Sequence, residues 1–233
     1  MRPQEYISLY LVILKRNFVY HKPSSAVKNK IKNLLFDFGN VIIDIDIEGA
    51  IAQVRSMLRE DADHTAIQKA LIDYECGRIS TEIFINHILR QSDRKYQAID
   101  VIEAWNGMLI GIPRYRLVML EMLRTNYNVY LLSNTNELHI EWVHRYFLRA
   151  HKVSNFEETY FDEVFYSHVI GDRKPNTSIF KYVSEEVFMT PELTLFMDDM
   201  EENIEVAAEL GFHAFHVKPG VEVAEYLKLE GFY

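Results

Sequence analysis

From residue 31 onward the chain repeats one arrangement, a short apolar run followed by a helix-length amphipathic stretch. The runs fall at 33–37, 128–132, 163–166, 194–197 and 213–217, and helical stretches at 113–125, 137–150, 177–187 and 201–210. Such alternation builds a parallel sheet flanked by helices, an α/β architecture. Pro113 suits a first helical turn, and Gly211 suits the stop after Leu210.

One gap breaks the alternation. About eighty-five residues separate the first run from the second, where a parallel crossover needs only a dozen or more. Within 47–112, Ile51, Val54 and Leu58 recur at helical spacing, and Ser80 can N-cap a helix running to Leu89. We expect an inserted helical cap at 47–112, seated as a lid over the strand ends of a core made from 31–46 and 113–233.

Residues 1–30 are expected to be an extension and linker. The apolar run from Tyr6 to Leu14 is far shorter than the roughly 20 residues a spanning helix needs, so no membrane association is expected. Lys15 and Arg16 follow it directly without a small-residue cleavage site, which argues against a secretory signal. The polar segment 21–30 reads as the linker, and 1–28 as dispensable for chemistry. The net charge of −9 and the absence of a Lys/Arg run exclude a nucleic-acid partner. A single cysteine, Cys76, cannot close an intramolecular disulfide, which fits a cytoplasmic location.

Polar clusters lie at the carboxyl ends of four of the expected strands. They are Asp37-Phe38-Gly39-Asn40, Ser133-Asn134-Thr135-Asn136, Gly171-Asp172-Arg173-Lys174-Pro175, and Asp198-Asp199 followed by Asn203. Parallel strands share one carboxyl edge, so these groups converge. Read singly, each has a structural role: an Asp after a strand turns or caps the chain, Ser133-Asn134 caps a helix, and Lys174 is solvated. Burying the Asp198-Asp199 pair without a cation is costly, however.

Together the clusters suit phosphoryl transfer. Asp37 can attack phosphorus and hold the group as an aspartyl-phosphate, splitting one displacement into two. Magnesium prefers oxygen ligands, which Asp37, Asp199 and the Gly39 carbonyl can supply, with Asp198 a direct ligand or the holder of a metal-bound water. Ser133 and the Asn134 amide can bind phosphate oxygens, and Lys174 can bind phosphate and neutralise charge developing during transfer.

These segments also carry a family resemblance. D-F-G-N-V-I-I-D, L-L-S-N-T-N, G-D-R-K-P and M-D-D-M-E-E-N resemble the four motifs of haloacid dehalogenase (HAD)-like hydrolases with a cap between the first two motifs. The resemblance covers 31–217 and implies a Rossmann-like core with an inserted cap, and a magnesium-dependent phosphatase acting on a small phosphorylated metabolite. Segments 36–46 and 132–139, with the Glu75-Cys76-Gly77-Arg78-Ile79-Ser80 turn, resemble the bacterial α-D-glucose-1-phosphate phosphatase group. By that likeness Asp37 is the nucleophile, Ser133, Asn134 and Lys174 bind phosphate, and Asp37, Gly39 and Asp199 bind magnesium.

One departure stands out. Most phosphatases of this superfamily carry a second Asp two residues after the nucleophile, as general acid and base; here that position is Gly39. Asp44, Asp46 or a cap residue are the candidate substitutes. Three other functions share parts of the pattern: a metal-independent 2-haloacid dehalogenase, a hexose phosphate mutase, and a phosphate-binding protein without turnover. Dehalogenases place neutral residues around a lone carboxylate in the fourth motif, whereas this chain has Asp198-Asp199. Asp73, Tyr74, Glu75, Trp105 and Asn106 are candidates to face the active site, with Trp105 stacking on a sugar ring; the alternative is that Trp105 and Tyr74 only seat the cap helices.

Overall fold

A computed structural model describes residues 29–233; the expectations for 1–28 lie outside the described residues. Within Ile31–Tyr233, the five apolar runs form one parallel sheet. Its strands are β1 (Asn33–Phe36), β4 (Asn128–Ser133), β5 (Glu163–Tyr166), β6 (Thr194–Asp198) and β7 (His213–His216), in the order β5-β4-β1-β6-β7. Sheets of this kind are covered on both faces, and β1 accordingly has no solvent-facing side chain row: all four of its residues are buried. Leu35, Leu132, Phe180, Phe196 and Phe212 belong to one apolar cluster, with Phe180 edge-on to Phe196 at 5.3 Å.

The expected helices form with shifted ends. They are α5 (Arg114–Leu123), α6 (Glu137–Tyr146), α9 (Thr177–Glu186) and α10 (Glu201–Glu209). Helix α6 stops short of 150 because Phe147–His151 continues as a π-helical turn closed by left-handed Lys152. Short helices α7 (Phe156–Tyr160) and α8 (Ser167–Ile170), and the C-terminal α11 (Val223–Leu229), complete the sheet layers. They carry too few periodic positions to stand out in the sequence.

Between β1 and β4 lie α1 (Ile47–Met57), α2 (His64–Glu75), α3 (Thr81–Gln91) and α4 (Ala98–Asn106). Their inward faces meet in a second cluster that includes Val54, Tyr74, Phe84, Ile88 and Trp105. Ser80 N-caps α3 as its spacing requires, and Asp46 caps α1 by accepting from the Gly49 amide at 2.8 Å. Ile51 differs from expectation: it is 37% exposed, because the apolar stripe of α1 runs through Ala50, Val54 and Met57 instead. The chain enters and leaves these helices through an antiparallel ribbon, β2 (Asp44–Ile45) with β3 (Leu109–Gly111), which the sequence reading missed. Strands this short carry no period-2 signal.

Candidate active site

Strand register builds the site. Phe36 pairs with Leu131 on one side and Met197 on the other, so Asp37, Leu132 and Asp198 reach the same level at the carboxyl edge. The Asp37 amide extends this pairing by donating to the Met197 carbonyl at 2.8 Å. β1 lies between β4 and β6, the place where crossovers diverge and open α/β sheets take ligands.

Lys174 binds the level together. Its ammonium donates to Asp37 Oδ1 at 2.6 Å, Asp198 Oδ2 at 2.6 Å and the Leu132 carbonyl at 2.8 Å. All three protons are thereby engaged. Burial opposes the ammonium charge, but the two carboxylates outweigh it and raise the Lys174 pKa. Asp37 is pushed up to about 7 by burial, against the attraction of Lys174 and with the repulsion of Asp198 and Asp199.

Asp198 and Asp199 differ sharply although adjacent. Asp198 is fully buried: Oδ1 accepts from the Met200 amide and Asn203 Nδ2, and Oδ2 from Lys174 and Asn203 Nδ2. Asp199 is only partly buried and accepts from Asn40 Nδ2 at 2.9 Å through Oδ2; burial raises its pKa. Asn40 reaches it from a tight turn in which it adopts φ 53°, a left-handed conformation that Asn tolerates. That turn uses the carbonyls of Phe38 and Ile43 as acceptors and leaves the Gly39 carbonyl out.

Ser133 ends β4 and is buried, one residue beyond the Leu132 carbonyl that Lys174 holds. The Asn134 side chain is committed to the main chain of Lys174, donating to its carbonyl and accepting from its amide, both at 2.9 Å. The second and third motifs are therefore tied backbone to side chain. Asp172 steadies the approach to Lys174 by accepting from Asn176 Nδ2 at 2.6 Å and from the Ser178 hydroxyl.

Both Asp candidates for the missing acid are committed elsewhere. Asp44 pairs with Arg116 Nη1 at 2.8 Å and Asp46 caps α1. A Cβ built on Gly39 meets Ile45 Cδ1 at 2.8 Å, so Ile45 fills the space where a side chain at 39 would stand.

Of the insertion residues, Tyr74 and Trp105 are largely packed away. Tyr74 stacks on Phe84 at 4.5 Å and accepts from the Leu138 amide, while Trp105 stacks on His139 at 5.3 Å. Asp73 pairs with Lys69 and Arg78, and Asn106 is buried at the end of α4. Glu75 alone forms an ion pair with a motif residue, reaching Arg173 Nη2 at 3.3 Å. The sequence pattern did not single out that contact, nor His139, whose ring bonds the Trp105 carbonyl at 3.2 Å. Both pair residues distant along the chain and leave no local signature. A cavity of about 390 Å³, lined by Asn40, Asp44, Arg116, Asp199, Val221 and Glu222 among others, opens beside Asp199.

Asp37, Asp198 and Asp199 each offer a carboxylate oxygen within 4.8 Å of the others. With all three carboxylates ionised, they exceed the one ammonium of Lys174 by two negative charges, the charge of one divalent cation. Hard oxygen donors of this kind fit magnesium. Among the described residues no helix is long and apolar enough to cross a membrane.

No family model matches the chain. A D-ribitol-5-phosphate phosphatase of Bacteroides thetaiotaomicron is 32% identical over 82% of this chain and 94% of its own length. A HAD family enzyme from the same organism, solved with magnesium and inorganic phosphate, superposes with TM-score 0.72 at 32% identity, covering 84% of this chain and 98% of its own. A predicted HAD-like hydrolase from Porphyromonas gingivalis gives TM-score 0.74 at 29% identity, with 86% and 97% covered. A dehalogenase with TM-score 0.53 at 17% identity shares the fold alone. The chain thus belongs to the HAD-like hydrolases and is a phosphoric monoester hydrolase among them.

Proposed function

We propose that the chain is a magnesium-dependent phosphatase of small sugar and polyol phosphates, working through a phosphoryl group carried on Asp37. The observation that carries this reading is the excess of two negative charges that Asp37, Asp198 and Asp199, when ionised, leave over Lys174, on the carboxyl edge where open α/β sheets take ligands. A dehalogenase site needs no such charge excess. Asp37, Asp199 and the Gly39 carbonyl would hold the cation, with Asp198 behind a water because each of its oxygens already accepts two hydrogen bonds. When bound, magnesium supplies charge neutralisation for the phosphoryl oxygens during transfer.

The chain's own groups do the rest. Lys174 holds Asp37 Oδ1, which orients the carboxylate and keeps Oδ2, with no hydrogen-bond partner among the described residues, for attack. As phosphoryl oxygens enter, the Lys174 ammonium turns part of its hydrogen bonding toward them. The Ser133 hydroxyl and the Asn134 main-chain amide are the remaining phosphate donors, since the Asn134 side chain is already spent on Lys174. Helices α1–α4 act as a cap that excludes water and admits only small esters.

For the substrate, two likenesses agree on a polyhydroxylated alcohol. The first-motif, second-motif and 75–80 segments resemble α-D-glucose-1-phosphate phosphatases, and the relative at 32% identity is a D-ribitol-5-phosphate phosphatase. Side-by-side assays of glucose 1-phosphate, ribitol 5-phosphate, glucose 6-phosphate and a nucleoside monophosphate at saturating magnesium test this. Higher kcat/KM for a sugar or polyol ester than for the nucleotide is expected; preference for the nucleotide overturns the substrate class.

A further inference from the structure

Arg116 lies on α5, outside the four motifs, yet its side chain reaches the turn that follows Asp37. The guanidinium is buried, and a buried charge is costly unless its protons are paired. It is paired along two edges. Nε and Nη2 fork onto Glu222 at 3.1 and 2.9 Å, while Nη1 donates to the Ile42 carbonyl at 3.1 Å and to Asp44 Oδ1 at 2.8 Å. Glu222 is fixed in its turn, accepting from the Ala224 amide at the start of α11 and from the Tyr115 hydroxyl. One arginine thus pins residues 42 and 44 to α5 and to the head of α11.

The turn so held is closed on itself. The Phe38 carbonyl accepts from the Ile42 and Ile43 amides at 2.9 Å each, and the Asn40 amide donates to the Ile43 carbonyl at 2.7 Å. A loop bonded this closely moves as one piece, so a hold at Ile42 carries over to Gly39 and Asn40. The cation site draws on both: the Gly39 carbonyl is left out of these bonds, and Asn40 Nδ2 holds Asp199 Oδ2 at 2.9 Å. Asn40 stands at φ 53°, a backbone state that a non-glycine residue keeps only where its surroundings enforce it. Asn40, Asp44, Arg116, Asp199 and Glu222 line one cavity, so these contacts form a continuous wall beside Asp199.

We propose that Arg116 is a positioning residue for the cation, holding the turn so that the Gly39 carbonyl and Asp199 stand ready before the cation arrives; this rests on the assignment of magnesium to Asp37, Gly39 and Asp199 above. Glu222 serves the same end by fixing the guanidinium from behind. The charge of Arg116 acts the other way. A cation bordering the same cavity as Asp199 repels magnesium, so by charge alone its removal would tighten binding. Loss of positioning weakens binding instead. The two effects differ in sign, and a measured affinity separates them.

The test is magnesium binding to the substrate-free protein by isothermal titration calorimetry, with thermal melts of the metal-free proteins alongside. Arg116→Met should weaken magnesium binding about tenfold or more, as is usual for a residue that orients metal ligands from behind. Arg116→Lys is the milder variant. It keeps the charge but lacks the fork that spans Glu222 and the Ile42 carbonyl, so it should weaken binding in the same direction. Arg124, at the end of the same helix, holds the Glu158 and Thr159 carbonyls and Asp162 instead of the turn. Arg124→Met should therefore lower the melting temperature and leave the magnesium affinity unchanged. Unchanged or tighter binding in an Arg116 variant that melts cooperatively, or equal weakening by Arg124→Met, overturns the positioning role. A wild type that binds no magnesium, or Asp199→Asn binding it as wild type does, would instead overturn the cation assignment beneath it.

Discussion

The three protons of Lys174 are shared among Asp37, Asp198 and a main-chain carbonyl, so Asp37 and Asp198 act on one another through one ammonium, while Asp199 is held by Asn40. Replacing either Asp at the fourth motif therefore has a distinct outcome. On the proposed assignment of Asp199 as a magnesium ligand, Asp199→Asn should raise the magnesium concentration needed for half-activation at least about tenfold, since it removes a charge with little change in packing. Asp198→Asn removes the anchor of Lys174 and Asn203, and should lower kcat more than it shifts that concentration. Magnesium titrations of initial rate separate the two; equal shifts would contradict the assignment of Asp198 to Lys174. Most of these residues were legible in the sequence because each follows an apolar run directly. What spacing left open was the division of labour. It is decided by hydrogen bonds between motifs, such as that from Asn203 to Asp198 and the clasp of Asn134 on Lys174.

Among the elements, α6 does most to join the insertion to the sheet. Its Leu138 amide donates to Tyr74 Oη, its His139 ring bonds the Trp105 carbonyl, and Tyr146 accepts from the Ile112 amide at 3.0 Å. A carbonyl only accepts, so His139 Nε2 carries the proton and Nδ1 accepts from Asn136; both nitrogens are satisfied in the neutral ring. Burial lowers the His139 pKa from 6.5 to about 4, with the Trp105 carbonyl acting the other way. Between those values the unfolded chain binds a proton that the folded chain does not. This contribution is fully present above pH 6.5 and lost as pH falls to about 4, with a slope of at most about 1.4 kcal/mol per pH unit. Denaturation midpoints at pH 7 and pH 5 should accordingly differ less in His139→Gln than in wild type; an unchanged difference would contradict a neutral buried ring. The helical period announced α6 but not this role, which depends on residues thirty-four positions apart.

At the scale of the molecule, one sheet with β1 at its centre brings four separated sequence segments to a single edge. That much followed from alternating apolar and amphipathic stretches, whereas the β2–β3 ribbon, α7 and α8 were too short to show periodicity. The sheet tolerates little change beneath the site. Phe196 is fully buried, edge-on to Phe180, with the Lys174 ammonium 5.5 Å from its ring centre. Phe196→Ala should cost about 3–5 kcal/mol in chemical denaturation, and a loss under about 1 kcal/mol would contradict this packing. The central claim is that Asp37, with magnesium, turns over phosphate esters. It is tested most directly by phosphate release from p-nitrophenyl phosphate, measured for wild type and Asp37→Asn with magnesium and with excess chelator, alongside their circular dichroism melts. Release by wild type only when magnesium is present, and none by a variant that melts cooperatively, is the predicted result. Chelator-resistant release, or wild-type rates from Asp37→Asn, would contradict it.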